Sequence, residues 1–264
     1  MADAVARFSG FAAGYDAVRP QPPVTLAELI SQWAGVTMPD VVDLGSGSGL
    51  SLLPWAGRAR RVTAIEPSAD MRKVAERRIA GLPAGAGEFT VIGATAEETG
   101  LPGQCADIVT ASQAMHWFDP ARALPEIARL LRPGGVLAAY DCDWPPCVDW
   151  ETDAAYAAFD ARVRELEVAH GLRPPYAGKG GHAERMRRSG LFRHVTEIAV
   201  HSRDEGDGER LTGLARSQGG AVALRSRGVS DDETGLTRLR QVAARRLAQP
   251  KPWWWTYRVR LAVR

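Results

Sequence analysis

The segment Val41-Val42-Asp43-Leu44-Gly45-Ser46-Gly47-Ser48-Gly49-Leu50 constrains the fold more than any other part of the chain. A short apolar run breaks there into three glycines within five positions. The apolar run reads as a strand buried on both faces, and clustered glycines mark a tight turn or a backbone that passes close to something bound. A helix-like pattern follows from Leu50 to Gly57. Strand, glycine turn and helix in that order are the opening unit of a doubly wound sheet.

The rest of the first half repeats the alternation. A helix is predicted from Val24 to Trp33, with Leu26, Leu29, Ile30 and Trp33 at helical spacing. Strands are predicted at Arg61–Glu66, Phe89–Ile92, Asp107–Ala111 and Val136–Tyr140. Between them lie a helix capped by Ser68 and running to Ile79, and another from Pro120 to Leu131, stopped by Arg132-Pro133-Gly134-Gly135. The second half is mostly helical, with segments at Glu151–His170, Gly180–Ser189, Glu209–Ala215 and Glu233–Leu247. Two further strands, Val195–His201 and Trp253–Val263, bring the expected sheet to seven. Alternating Trp253-Trp254-Trp255 should turn at least one ring inward and another outward. The expectation is an α/β fold, a doubly wound and mostly parallel seven-stranded sheet with helical roof insertions. No linker composition divides it, so one domain is expected over 1–264: a lid and first helix (1–36), a cofactor-binding core (37–141), and a roof with the last strands (142–264).

Charge narrows the function classes. The chain has 33 basic and 31 acidic residues, too balanced for charge alone to indicate nucleic-acid binding. Arg185, Arg187, Arg188 and Arg193 cluster locally and read as a solvated helix face. Cys105, Cys142 and Cys147 are too few and badly spaced for a zinc site or a disulfide framework, so no metal is expected. The N-terminal residues have no apolar core of signal-peptide length, and no stretch approaches a membrane span. A cytoplasmic protein with reduced thiols, acting as a monomer or homodimer without nucleic-acid or membrane partners, is the expectation.

The ligand of the glycine turn follows from its spacing. A dinucleotide fingerprint needs glycine at position 50, which is leucine, and the third glycine comes one place early at Gly49. Glu66, at the end of the second strand, stands where an acid can take both ribose hydroxyls of an adenosine cofactor. Glu66 fits adenosine-like binding without choosing between cofactors, since NAD enzymes use an acid there too. Leu50 and the lack of an obvious Tyr-x-x-x-Lys pair disfavour the alternative of an NAD(P)-dependent oxidoreductase.

Asp43-x-Gly45-x-Gly47-x-Gly49, Glu66, and Leu131-Arg132-Pro133-Gly134-Gly135 before the fifth strand together resemble class I S-adenosylmethionine (SAM)-dependent methyltransferases, a Rossmann-like family. Gly93-Ala94-Thr95-Ala96-Glu97, then Leu101-Pro102 and Asp107-Ile108-Val109, is similar to that family's adenine-side segment. Ser112-Gln113-Ala114-Met115-His116-Trp117-Phe118-Asp119 and the Phe11–Pro20 segment resemble its small-molecule branch, which includes trans-aconitate methyltransferase-like and thiol methyltransferases.

This resemblance implies that SAM is the cofactor, leaving S-adenosylhomocysteine as product. Tyr15, Arg19, Asp43, Gly45, Ser46, Gly47, Glu66, Met71, Thr95, Ala96, Glu97 and Gln113 would hold it. Gly45 and Gly47 would admit its amino-acid end, Met71 would pack beside the adenine, and the Ala96 amide would meet a ring nitrogen. Many relatives carry an acid where this chain has Thr95. Trp117, Trp144 and Tyr176 would wall the acceptor pocket, while Trp150 is expected in ordinary packing. His116, just past the fourth strand, is the candidate catalytic base, and His170, His182, His194 and His201 are expected to be structural.

The implied activity is methyl transfer to oxygen, sulfur or nitrogen of a small molecule, in natural product biosynthesis. A SAM-binding cyclase or isomerase that transfers no methyl group stays open. An RNA or protein methyltransferase is disfavoured, because Ser112-Gln113-Ala114-Met115 stands where an Asn-Pro-Pro-Tyr type segment would be.

Overall fold

The computed structural model describes residues 18–172 and 179–264. Seven strands form one sheet in the order β3-β2-β1-β4-β5-β7-β6. They are β1 (Asp40–Leu44), β2 (Arg61–Ile65), β3 (Glu88–Ile92), β4 (Ala106–Ser112), β5 (Leu131–Cys142), β6 (His194–Gly206) and β7 (Lys251–Val263). The first five pair in parallel, and β7 runs antiparallel to both β5 and β6. β1 is buried at every residue, which is why Val41, Val42 and Leu44 show no alternation and why its two aspartates, Asp40 and Asp43, are both hydrogen-bonded to side chains. The chain order reverses between β1 and β4, and the crevice beyond their carboxyl ends is where such sheets bind ligands.

The helices are α1 (Val24–Ala34), α2 (Ala69–Ala80), α3 (Pro120–Leu130), α4 (Trp150–Ala169), α5 (His182–Arg188), α6 (Gly208–Arg216), α7 (Gly219–Ser226) and α8 (Leu236–Arg246). Ser68 caps α2 as expected, its Oγ accepting the Met71 N–H at 3.5 Å. The segment after the glycines is a 3-10 turn over Leu50–Trp55, shorter than the predicted helix; Pro54 removes a donor that an α-helix would need.

Two strands are longer than the sequence suggests. β5 begins at Leu131, which pairs with Ala106 before the register slips and Val136 meets Ile108. Arg132-Pro133-Gly134-Gly135 forms the irregular stretch between these pairs. The Arg132 guanidinium donates to Asp107 Oδ1 at 2.6 Å and to Asp40 Oδ2 at 2.9 Å, tying the starts of β1, β4 and β5 together. β6 continues past His201 to Gly206, beyond the predicted strand, because β7 pairs with it along its whole length.

α7 escaped the sequence reading. It opens on two glycines, poor helix formers, and is held by burial of Ala221 and Leu224 against α4. In β7, Trp253 and Trp255 are buried and Trp254 is 54% exposed, the expected alternation. These rings join α4, α6, α7 and α8 in one apolar cluster with α1 and residues of the sheet.

Candidate cofactor and acceptor site

The carboxyl ends of β1, β2 and β4 open into a cleft with about 1290 Å3 of empty space, partly open to solvent. Gly45, Ser46, Gly47, Glu66, Met71, Thr95, Ala96, Glu97, Gln113 and Trp117 line it, and Arg19 and Trp144 close its other side. Twelve of the residues read from the sequence therefore meet in one cavity. Phe118 and Tyr257 line it too, and nothing in the local sequence marks Tyr257 for that place. Tyr15 and Tyr176 lie outside the described residues.

The glycine turn is shaped by what it must avoid. Gly45, Gly47 and Gly49 have φ of 69°, 55° and 84°, a region that side-chain-bearing residues rarely adopt. A Cβ on Gly45 would also lie 2.8 Å from Ala114 Cβ, so this turn packs directly on the segment after β4. Ser46 Oγ is buried at the cavity wall and has no hydrogen-bond partner among the described residues. Glu66 faces the turn, Oε2 accepting the Gly47 N–H at 2.9 Å and Oε1 the Ser68 N–H at 2.8 Å. Burial raises its pKa while those two amides hold it down.

Asp43 is not part of the wall formed by the described residues. It lies beneath the turn, accepting from Ser51 Oγ at 2.6 Å and Thr110 Oγ1 at 2.5 Å. Full burial pushes its pKa up to about 6 against those two bonds. Its place is structural support of the turn, since a carboxylate enclosed by two hydroxyl donors has no direct reach into the cleft. Glu97 is partly committed as well, its Oε1 accepting the Asp119 N–H at 2.9 Å at the entry to α3.

Gln113 is the strained residue of the wall, with φ of 53°. Its N–H donates to the Tyr140 carbonyl at 2.8 Å, and its side-chain Oε1 accepts from Lys179 Nζ at 2.6 Å. Trp144 carries the Arg19 guanidinium over its ring at 4.5 Å and meets Trp255 edge-on at 5.6 Å. Trp150 does not take the packing place expected for it and is 76% exposed at the start of α4.

His116 is placed differently from the sequence expectation. Its ring is buried behind the wall, not on it, with Nδ1 3.7 Å from Asp141 Oδ1 and the ring 5.1 Å from that of Trp117. Burial first, then the positive charges of Lys179 and its neighbours, push its pKa down to about 3. So weak a base has little driving force to take a proton at neutral pH.

The surrounding cluster was not legible in the sequence. Asp141 is its hub: Arg260 Nη1 donates to Oδ2 at 2.9 Å, Lys179 Nζ lies 3.6 Å from Oδ1, and His182 Nε2 lies 3.5 Å from Oδ2. His182 therefore joins the site's polar backing, although nothing in its local sequence sets it apart from the other four histidines.

His116, Asp141 and His182 have the composition of a metal triad, with candidate ligand atoms all within 4.8 Å of one another. Arg185 argues against that use. Its Nη2 lies 2.7 Å from His182 Nδ1, and a guanidinium can only donate. With its pKa near 3, His182 is neutral, and because Nδ1 accepts from Arg185 the ring proton sits on Nε2, 3.5 Å from Asp141 Oδ2, where it leaves no lone pair for a metal.

Comparison with known proteins meets this geometry. Residues 42–139 match the model of a methyltransferase domain family. Residues 42–139 carry a methyltransferase domain. Similar proteins include an uncharacterised methyltransferase of Mycobacterium tuberculosis, 37% identical over 130 residues, covering 49% of each chain. A malonyl-[acyl-carrier protein] O-methyltransferase of Pectobacterium atrosepticum is 32% identical over 137 residues, covering 51% of each. In these matches the chain spans about half the length of the relatives. A structure from Anaeromyxobacter dehalogenans, provisionally assigned as a type II methyltransferase, superposes with a TM-score of 0.68 at 26% identity. It covers 93% of this chain and 97% of its own. The seven-stranded sheet is that of the class I methyltransferase fold, and the glycine turn and Glu66 lie inside the matched residues 42–139. Among the described residues, no helix is long and apolar enough to cross a membrane.

Proposed function

We propose that the methyltransferase domain transfers a methyl group from SAM to an oxygen, sulfur or nitrogen atom of a small molecule. The observation that carries this reading is the meeting of Glu66, the glycine turn and the buried Ser46 hydroxyl on one wall of a cleft. The donor set fits the cofactor: two carboxylate oxygens for ribose hydroxyls, a lone buried hydroxyl, and backbone without side chains where the amino-acid end must approach. When bound, SAM supplies an electrophilic methyl carbon on a sulfonium sulfur.

The protein's own part is placement. The cleft is partly open to solvent, leaving space through which an acceptor can reach the cofactor. Trp117, Phe118 and Trp144 give that space apolar walls, with Arg19 and Gln113 as polar anchors. Alignment of the nucleophile behind the methyl carbon can take about 7–11 kcal/mol off the barrier of such a reaction. His116 stays neutral in this reading and supports the wall from behind Trp117; it does not accept the acceptor's proton. An acceptor that is already a good nucleophile, or that ionises near neutral pH, suits a site built this way.

Label transfer tests the proposal. Purified protein is incubated with methyl-labelled SAM and a host extract separated into small molecules, RNA and protein. Label in the small-molecule fraction is the expected result and identifies the acceptor by mass. Label in RNA or protein overturns the substrate class. Tight cofactor binding with no transfer to any fraction favours a cyclase or isomerase.

A further inference from the structure

Gly213 stands inside α6, where glycine is disfavoured relative to alanine, and it is not among the residues of positive φ. A glycine kept in a helix interior without a conformational need calls for a steric reason. The reason is Val18. A Cβ at position 213 would lie 2.7 Å from Val18 Cγ1, far inside van der Waals contact, and 3.7 Å from Val18 Cβ.

The same face of α6 grips the chain at that point a second time. Arg210, three residues earlier and so on the same side, donates through Nε to the Val18 carbonyl at 3.3 Å. It is itself fixed by Asp204 Oδ2 at 2.7 Å and by the Trp253 ring, whose centroid is 4.8 Å away. The residue after Val18 is Arg19, whose Nη2 donates to the Ser217 carbonyl at the end of α6 and whose guanidinium covers Trp144 in the cleft. Arg19, Pro20 and Pro22 then line the cleft.

We propose that Gly213 and Arg210 are positioning residues: they seat Val18, and thereby hold the segment from Arg19 to Pro22 as the wall of the cofactor cleft. This rests on the cofactor reading above. Neither residue touches the cleft; both act through Val18 and Arg19.

The test exchanges space between two residues. Gly213→Ala adds a methyl group that collides with Val18 Cγ1, although alanine is the better helix former. Val18→Ala removes Cγ1 and leaves the two Cβ atoms at an ordinary contact distance. Affinity for S-adenosylhomocysteine is measured by calorimetry in wild type, both single variants and the double variant. Hydrogen exchange of the segment from Val18 to Leu26 is followed in the ligand-free proteins.

The expected result is an affinity loss of about tenfold in Gly213→Ala, equal to about 1.4 kcal/mol, with a melting temperature no lower than wild type. Exchange in the segment should be faster, and the double variant should recover both properties to near wild type. Unchanged affinity in Gly213→Ala, or a double variant no better than the single, overturns the proposal. If wild type binds no S-adenosylhomocysteine, the cofactor reading fails and takes the positioning role with it. The exchange data still decide the seat: no acceleration in Gly213→Ala means that Val18 is not held there.

Discussion

Lys179 Nζ donates to the side-chain Oε1 of Gln113 at 2.6 Å, joining the roof to the residue that closes the carboxyl end of β4. Because an ammonium can only donate, this bond fixes which way the Gln113 amide faces. Gln113 holds an unfavourable backbone conformation, and Lys179 is anchored in turn by Asp141. Lys179→Met should release that amide. Catalytic efficiency should fall at least tenfold, about 1.4 kcal/mol of transition-state stabilisation, while S-adenosylhomocysteine affinity moves far less. Parallel kinetics and calorimetry on the variant separate the two, and an equal loss in both would show that Lys179 serves the cofactor.

Glu66 is tied to the glycine turn and to the first turn of α2, so its loss removes both a ligand partner and a brace. Glu66→Gln should weaken S-adenosylhomocysteine binding by about 1–3 kcal/mol, the range for a charged hydrogen-bond partner. Isothermal titration measures it, and unchanged affinity would place the ribose elsewhere.

His116 is the sharpest test of the chemistry. A true general base contributes about a hundredfold to ten-thousandfold. Since the ring is buried off the cleft wall and its pKa is near 3, His116→Gln should keep turnover within about tenfold of wild type. Steady-state rates from pH 6 to 8 decide the matter, and a loss of the larger size would restore His116 as the base.

Acid stability follows from the buried imidazoles. His116 and His182 have pKa values near 3 in the folded protein and about 6.5 when unfolded. The unfolded chain therefore binds more protons between those values, and stability should be lost as pH falls from about 6.5 toward 3. Asp43 opposes this. Its folded pKa near 6 exceeds the ordinary 3.8, so below pH 6 it returns up to about 3 kcal/mol. Urea unfolding from pH 4 to 7 should show a net loss toward acid. His182→Gln should flatten that loss and Asp43→Asn should steepen it.

Gly45→Ala combines a forced left-handed backbone with a Cβ 2.8 Å from Ala114. Strain of about 1–2 kcal/mol from the backbone, with overpacking added, should lower the urea midpoint clearly. Gly47→Ala has a similar φ but, among the described residues, no heavy atom within 4 Å of its added Cβ, so it should lose only the backbone share.

The sheet, the glycine turn and Glu66 were readable because their signals are local: apolar runs, turn residues and a fixed offset between them. The Asp141 cluster was not. Its members come from β5, the turns before and within α5, and β7, and only the roof's path brings them together. His116 was misplaced for a related reason. Its position past β4 puts it at the ligand edge, but the 3-10 turn at Met115–Trp117 sends its ring inward and leaves Trp117 on the wall. α7 was missed because burial, not helix propensity, holds it.

The tie made by Arg132 joins the starts of three parallel strands, at the end of the sheet away from the cleft. Cohesion of the sheet and the proposed recognition of an acceptor thereby fall at opposite ends of the strands. Exchanging Trp117, Phe118 and Trp144 for other side chains would, under the proposed reading, alter which molecule is accepted while the strand-start clamp stays intact. The fold is in that sense a chassis whose specificity can be rewritten from one side alone.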